Sequence, residues 1–337
     1  MQFGVFDHVD LNADPLGDFY RTRLKLVEKY DQLGFFSYHV AEHHFTPLGA
    51  AASPSVYLSA IAQRTKNLRF GPMVYCLPLY HPLRLAEEIC MLDQLSSGRL
   101  DVGVGRGISP LESQMYGENP DVATSRQVYI ESLEIICAAM KGENFSFPGD
   151  YRKAVDVNMV LSPLQKPMPP LWTGVNTEEN VEFAARHGMN ILGLKSAEKM
   201  RPLIDHYRKV WKQHHDASTP PRKAGISYFI VVADTDDRAK DIAARAYKRW
   251  HASFHHLYHL HGRAPVHGER PNKFSIVEDE RRGIAGSPAT VRAFLKQATE
   301  AAGLDYVVGQ FMFGDMTTQE ADASVDLFGN EIMPTFQ

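Results

Sequence analysis

The feature that most constrains this chain is a regular alternation. Short apolar runs rich in β-branched and aromatic residues are each followed by a longer segment with helical periodicity, almost from end to end. Strands are expected at QFGVFD, FFSYHVAE, LRFGPMVYCL, LDVGVGRG, PPLWTG, MNILGL, GISYFIVV and DYVVGQFMF. Helices are expected over 18–33, 54–65, 82–95, 124–140, 178–187, 197–214, 236–260 and 318–332. Parallel strands need crossover connections, and helices on those crossovers cover the sheet. Eight strands and eight helices predict one (β/α)8 barrel, a TIM barrel with insertions, spanning 1–337 with no linker or second domain. The length suits that fold, since barrels of this class commonly run beyond ~250 residues.

Local punctuation agrees with these boundaries. Ser53-Pro54 and His81-Pro82 place proline at the first helical position, where its missing N–H does no harm, and Gly34 and Gly188 sit where helices should stop. Two stretches break the rhythm. Residues 141–168, with Pro148, Pro163 and Pro167, form an excursion before the fifth strand. Residues 262–286 are polar, glycine-bearing and long enough to be a mobile lid, and an extra helix over 288–302 then leads into the last strand.

The helix PLRLAEEICMLDQL carries Leu83, Leu85, Ala86, Ile89, Cys90, Met91, Leu92 and Leu95. That set wraps too far around the axis for one stripe facing the strands. It predicts either cover by an insertion or, as the favoured reading, a subunit interface shared with the neighbouring helix and therefore a homodimer.

Charge narrows the partners. The formal net charge is −4 with neither sign clustered, which leaves no electrostatic footprint for nucleic acid or an anionic membrane and points to a small molecule. Cys76, Cys90 and Cys137 are widely spaced without a C-x-x-C pair, as expected of reduced thiols in the cytoplasm. MQFGVFDHV reads as a first strand, not as a secretion signal, and no run approaches the roughly 18 apolar residues of a membrane helix.

Four unusual clusters fall at the carboxyl ends of expected strands, where the loops of such barrels build active sites: AEHHF, GPMVYCLPLYHP, GVGRGISP and TGVNTEEN. Successive side chains on an extended segment alternate, so His43 and His44 must diverge. One of them faces the pocket as a base or hydrogen-bond donor, or both merely rim the barrel. H-E-x-x-H is absent and no metal is expected.

Gly103, Gly105 and Gly107 flank Arg106 without the G-x-G-x-x-G spacing of a dinucleotide loop. They permit close approach of a flat or anionic ligand, with Arg106 either gripping a phosphate or sitting in a surface ion pair. Asn176 or Thr177 caps the next helix, whose free amides suit a phosphate, although Glu178 and Glu179 would repel one unless they point outward. In RWHASFHHLYHLHG, His251, His255 and His259 are four apart. They read as a pocket wall under the lid together with Trp250 and Phe254.

At these clusters the chain resembles the bacterial luciferase family of flavin-dependent monooxygenases, over GFFSYHVAEHHFTPLG, LPLYHPLRLAEEICMLDQLSSGRLDVGVGRG, NTEENVEFAARHG and LFGNEIMPTF. The resemblance implies a barrel that binds reduced FMN at its carboxyl-terminal mouth. His43 then matches the active-site base, Glu42 the neighbouring acid and His81 a further pocket histidine. Arg106 matches the phosphate-gripping arginine, with Gly107 beside it, and Asn176, Thr177 and Asn180 the phosphate turn. Met73 and Val74 fall where the family carries a non-prolyl cis peptide under the flavin ring.

Two departures leave the substrate open. Gly105 replaces a reactive cysteine, which is expected to open space near the ring, and a pocket tryptophan is replaced around Gly193 and Leu194. No nicotinamide-binding fingerprint is present, so reduced FMN is expected from a separate flavin reductase, for use with dioxygen on a small organic substrate such as a carbonyl compound. The rivals are a deazaflavin-dependent hydride-transfer enzyme of the same superfamily, a noncatalytic flavin-binding subunit, and a metal hydrolase built on the histidine clusters.

Overall fold

A computed structural model of the chain describes residues 1–107, 109–118, 121–266 and 268–336, with the backbone alone at 122. The strands are β1 (Gln2–Asp7), β2 (Ser37–Val40), β3 (Arg69–Pro72), β4 (Tyr75–Cys76), β5 (Val102–Gly105), β6 (Phe145–Pro148), β7 (Lys153–Val157), β8 (Leu171–Val175), β9 (Asn190–Gly193), β10 (Ala224–Val232), β11 (Gly283–Gly286) and β12 (Tyr306–Gln310). The main sheet runs β3-β2-β1-β12-β10-β9-β8-β5-β4, parallel throughout. Its two ends meet. Phe70 N–H donates to the Arg99 carbonyl at 3.1 Å and Asp101 N–H to the Phe70 carbonyl at 2.8 Å, which brings β3 beside the entry to β5 and completes a nearly closed (β/α)8 barrel.

The expected third strand is present as β3 and β4, separated at Met73–Val74, where the peptide is cis. Inside the ring, Phe6, Ala41, Met73, Trp172, Leu192, Tyr306 and Val308 pack as a separate apolar cluster, while the larger core lies between strands and helices. Long apolar strands such as AGISYFIVV are buried along their whole length because both faces are covered.

One expectation gains detail and two need correction. The excursion 141–168 folds back on itself as the antiparallel hairpin β6–β7, its turn held by three backbone N–H groups donating to Glu131. The segment 262–286 is not a structureless loop: Phe274–Asp279 is helical and β11 pairs in parallel with the end of β10. The polar residues around these elements concealed a short strand whose outer neighbour is a helix. What remains of the expected lid is 263–273, of which His267 lies outside the described residues. The long helix expected over 236–260 is interrupted at His255, which ends Asp236–Phe254 and begins His256–Leu260.

The helix Pro82–Leu95 buries Leu85, Ala86, Ile89, Cys90 and Leu92 against the barrel. It leaves Met91 52% and Leu95 54% exposed, with Val56 of the preceding helix 72% exposed. The hairpin does not cover them, so the apolar surplus read from the sequence faces outward.

Candidate active site

The loops after the strands converge on one cavity of about 810 Å³ at the carboxyl-terminal mouth. It receives Phe6 and His8 from β1 and the loop after it, Glu42 and His43 after β2, Met73 and Val74 between β3 and β4, and Arg106 and Gly107 after β5. Asn176 and Asn180 enter after β8, and Trp250 and Phe254 from the helix after β10. Arg106 and His43 thus open onto a shared space.

The histidine pair divides its work. His43 lines the cavity, whereas the His44 ring turns into the wall. His44 Nε2 donates to Glu42 Oε1 at 2.9 Å and the Tyr116 hydroxyl donates to His44 Nδ1 at 2.9 Å. The second oxygen of Glu42 accepts the Cys76 N–H at 3.0 Å. Both carboxylate oxygens of Glu42, which lines the cavity, are therefore engaged, and they tie the loop after β2 to β4.

The acid that touches His43 is another one. Glu112 Oε1 lies 3.3 Å from His43 Nδ1, and Glu112 Oε2 accepts the His44 N–H at 3.0 Å. A carboxylate on Nδ1 fixes the tautomer and leaves Nε2 as the ring atom available for proton transfer. The sequence concealed this residue. Ser109-Pro110-Leu111-Glu112 has the spacing of a capping box, and Ser109 does accept the Glu112 N–H, so the acid reads as helix punctuation.

His8 was missed as well. Its ring stacks on His43 at 5.8 Å between centroids, inclined by 21°, and approaches Trp250 edge-on at 5.5 Å. Burial, then the charges of His43 and Arg270, hold its pKa well below the ordinary value, so the ring is neutral at physiological pH.

On the opposite rim, Arg106, Asn176 and Asn180 line the cavity. Thr177 instead caps the helix Glu178–Arg186, its hydroxyl accepting the Asn180 N–H at 3.3 Å, and does not line the cavity. Glu179, which threatened to repel a phosphate here, pairs with Arg126 at 2.6 Å. His81 is a further correction. The short turn Leu77–Leu79 carries the chain away from the mouth, and His81 sits exposed before the first turn of Pro82–Leu95, off the cavity wall.

The space expected beside Gly105 is filled: a Cβ there would collide with the Val74 side chain, so glycine lets the Met73–Val74 segment pack against β5. Gly107 adopts φ +82°, and a Cβ on it would meet Cys76 Sγ at 3.3 Å. The His251 and His255 rings lie 4.2 Å apart at a tilt of 39°, and His251 Nε2 donates to the Arg270 carbonyl at 3.1 Å, so this histidine row braces the segment over the mouth. Among the described residues no group of three or more His, Cys, Asp or Glu is arranged to hold a metal.

The donor set fits a flavin nucleotide. A guanidinium and two amide side chains stand at one rim with the adjacent acid neutralised, and Phe6, Met73 and Leu192 give an apolar floor. Gln310, whose amide nitrogen donates to Ser227 Oγ at 3.3 Å, leaves its Oε1 buried on the cavity wall with no partner among the described residues, an acceptor that a ring N–H can satisfy.

The family model for luciferase-like monooxygenases matches residues 1–308. This chain belongs to that family. An uncharacterized protein of Sinorhizobium fredii is 40% identical over 94% of this chain and 92% of its own length. The oxygenase component of a flavin-dependent trigonelline monooxygenase from Acinetobacter baylyi is 27% identical over 100% of this chain and 96% of its own. The crystal structure of a monooxygenase from Streptomyces bottropensis superposes with a TM-score of 0.86 at 26% identity, covering 100% of both chains. The match runs over nearly the full length of all three, and the barrel is shared with the solved structure.

Proposed function

We propose that this luciferase-like chain is the oxygenase of a two-component system, taking reduced FMN from a separate flavin reductase and using dioxygen on a small organic substrate, with carbonyl compounds the first candidates. The observation that carries the reading is the opening of Arg106 and His43 onto one cavity. Bound reduced FMN would supply the electrons that activate dioxygen.

The protein's own groups have separable tasks. Arg106, with Asn176 and Asn180, holds the phosphate, while the backbone at Met73–Val74 and the side chains of Phe6 and Leu192 support the ring. His43, oriented by Glu112, takes or gives a proton at Nε2. Neutral His8 and the aromatic pair Trp250–Phe254 keep the reacting face free of bulk water, and Pro265 and 268–271 cover it.

Arg106→Ala is expected to weaken reduced FMN binding by about 2–4 kcal/mol, measured by anaerobic titration, because it removes the charged partner of a phosphate. Unchanged affinity would remove the cofactor assignment.

The chain is also proposed to act in the cytoplasm as a homodimer joined through Pro54–Arg64 and Pro82–Leu95, whose Val56, Met91 and Leu95 are exposed. Among the described residues no helix is long and apolar enough to cross a membrane, and all three cysteines are free. Light scattering should give the mass of two chains, and a single-chain mass for a variant with Met91→Asp and Leu95→Asp. A wild-type mass of one chain would reject the interface.

A further inference from the structure

The cations around the mouth are not equivalent. Arg282 donates to Glu280 at 2.9 Å and to the Leu194 carbonyl at 3.3 Å. Arg126 pairs with Glu179, and Lys195 donates to the Asn176 carbonyl at 2.6 Å. Lys199 is exposed to solvent, and Arg270 differs from all four in being half-buried with neither a carboxylate nor a carbonyl partner among the described residues. It lines the cavity from the segment over the mouth, yet among the described residues no carboxylate lies within 4.0 Å of its guanidinium. Glu269, next to it in the chain, is exposed and does not reach it. Its contacts are aromatic, with Cζ 4.5 Å from the Phe254 ring centroid and 5.9 Å from that of Trp250.

A half-buried guanidinium without an anion is unfavourable on its own. Burial and then the charge of Arg282 pull the Arg270 pKa down to about 10, and the charge of a bound anion would raise it again. Arg270 is also placed to act on the chemistry. Its charge is one of the influences that keep His8 neutral, and the His43 ring lies 6.3 Å from the Phe254 ring that Arg270 touches. Arg270 and His43 thus stand against the same Phe254 ring on one cavity. Its neighbours are not those of Arg106, whose charge falls instead on Tyr129 at the other rim.

We infer that Arg270 recognises a carboxylate on the substrate, so that this enzyme acts on a small, ring-bearing organic acid whose apolar body lies beside Phe254 and Trp250 and whose reacting atom faces His43. The planar fork of arginine matches a carboxylate through two parallel hydrogen bonds, and the aromatic wall supplies the matching apolar surface. The inference rests on the reading of this mouth as the substrate site of a flavin-dependent oxygenase.

The test uses benzoate, benzamide and phenyl phosphate as probes, titrated calorimetrically into wild type, Arg270→Met and Arg270→Lys, each with and without oxidised FMN. Wild type should bind benzoate at millimolar concentrations and roughly tenfold or more tighter than benzamide, as a charge-assisted pair requires. Arg270→Met should abolish that preference with FMN binding unchanged, and Arg270→Lys should keep part of it. No benzoate binding, equal binding of benzoate and benzamide, or a preference surviving Arg270→Met each overturns the proposal. Equal weakening of both probes in Arg270→Met also overturns it, by making the residue only a latch for the segment over the mouth. Tighter binding of phenyl phosphate than benzoate replaces the carboxylate with a phosphate ester. Loss of FMN binding in Arg270→Met would assign the residue to the cofactor, whereas failure of wild type to bind FMN while benzoate still binds would overturn the oxygenase reading alone.

Discussion

The two ends of the barrel use the same kinds of residue to opposite effect. At the amino-terminal end, Arg69 donates to Asp101 through Nε at 3.0 Å and through a terminal nitrogen at 2.7 Å. Asp101 also accepts the Ser37 hydroxyl at 2.9 Å, and His39 Nε2 meets the Tyr306 hydroxyl at 2.8 Å inside the ring, its Nδ1 staying buried without a partner among the described residues. At the carboxyl-terminal end, Gln310 leaves an acceptor unpartnered, His43 keeps one ring nitrogen for the cavity, and Arg270 meets no acid among the described residues. Arginine and histidine hold the barrel together where their partners come from the chain. They become a site where the partners must come from outside.

The comparison breaks most sharply if substitutions at the two ends have the same consequences. The largest effect is expected at the mouth. His43→Ala should lower turnover by ~10²- to 10⁴-fold, the usual contribution of a positioned acid–base group, while reduced FMN still binds and the unfolding midpoint stays within experimental scatter. Stopped-flow measurement of substrate oxidation separates the two, and full activity would reject His43 as the proton-transfer group. At the closed end, Asp101→Ala leaves Arg69 without its carboxylate and should destabilise the fold by about 3 kcal/mol in denaturant titration, with FMN affinity per folded molecule unchanged. A loss of FMN binding in proportion to that of His43→Ala turnover would mean the ends are not independent.

How much of this was legible beforehand follows the same division. The strands and helices were readable because each buries a continuous apolar run or stripe, and the boundary of Pro82–Leu95 was marked by its own proline. Local spacing also forced His43 and His44 apart, and the structure sends one to the cavity and one to Glu42. The residues that escaped are those whose role depends on distant partners. Glu112 meets His43 across 69 positions, and nothing in its local spacing beyond a helix-capping signature marks it. His8 and Arg270 are 262 positions apart in sequence and meet only when the ring closes. β11 was hidden because its four residues, GIAG, offer no apolar alternation and gain their order from β10. Gly105 misled in the other direction. Removal of a side chain was taken as free volume, when a neighbouring Val74 occupies it.

The smallest expected effect is also the most specific to the closed end. Burial, and then the charge of Arg69, lower the His39 pKa to about 3. An unfolded histidine takes up its proton near pH 6.5. Between those values the unfolded chain therefore binds a proton that the folded chain refuses. The stabilisation from a neutral His39 is present above pH 6.5 and is lost as pH falls toward 3, at up to about 1.4 kcal/mol per pH unit. His39→Gln keeps a polar group beside Tyr306 but does not titrate. Its stability should fall less steeply than that of wild type on acidification, the two curves converging by about 1 kcal/mol between pH 6.5 and 5.5 in denaturant titrations. Parallel curves would show that His39 takes up its proton over the same pH range folded as unfolded, and the amino-terminal end would then hold an open ionisable site of its own, removing the contrast with the mouth.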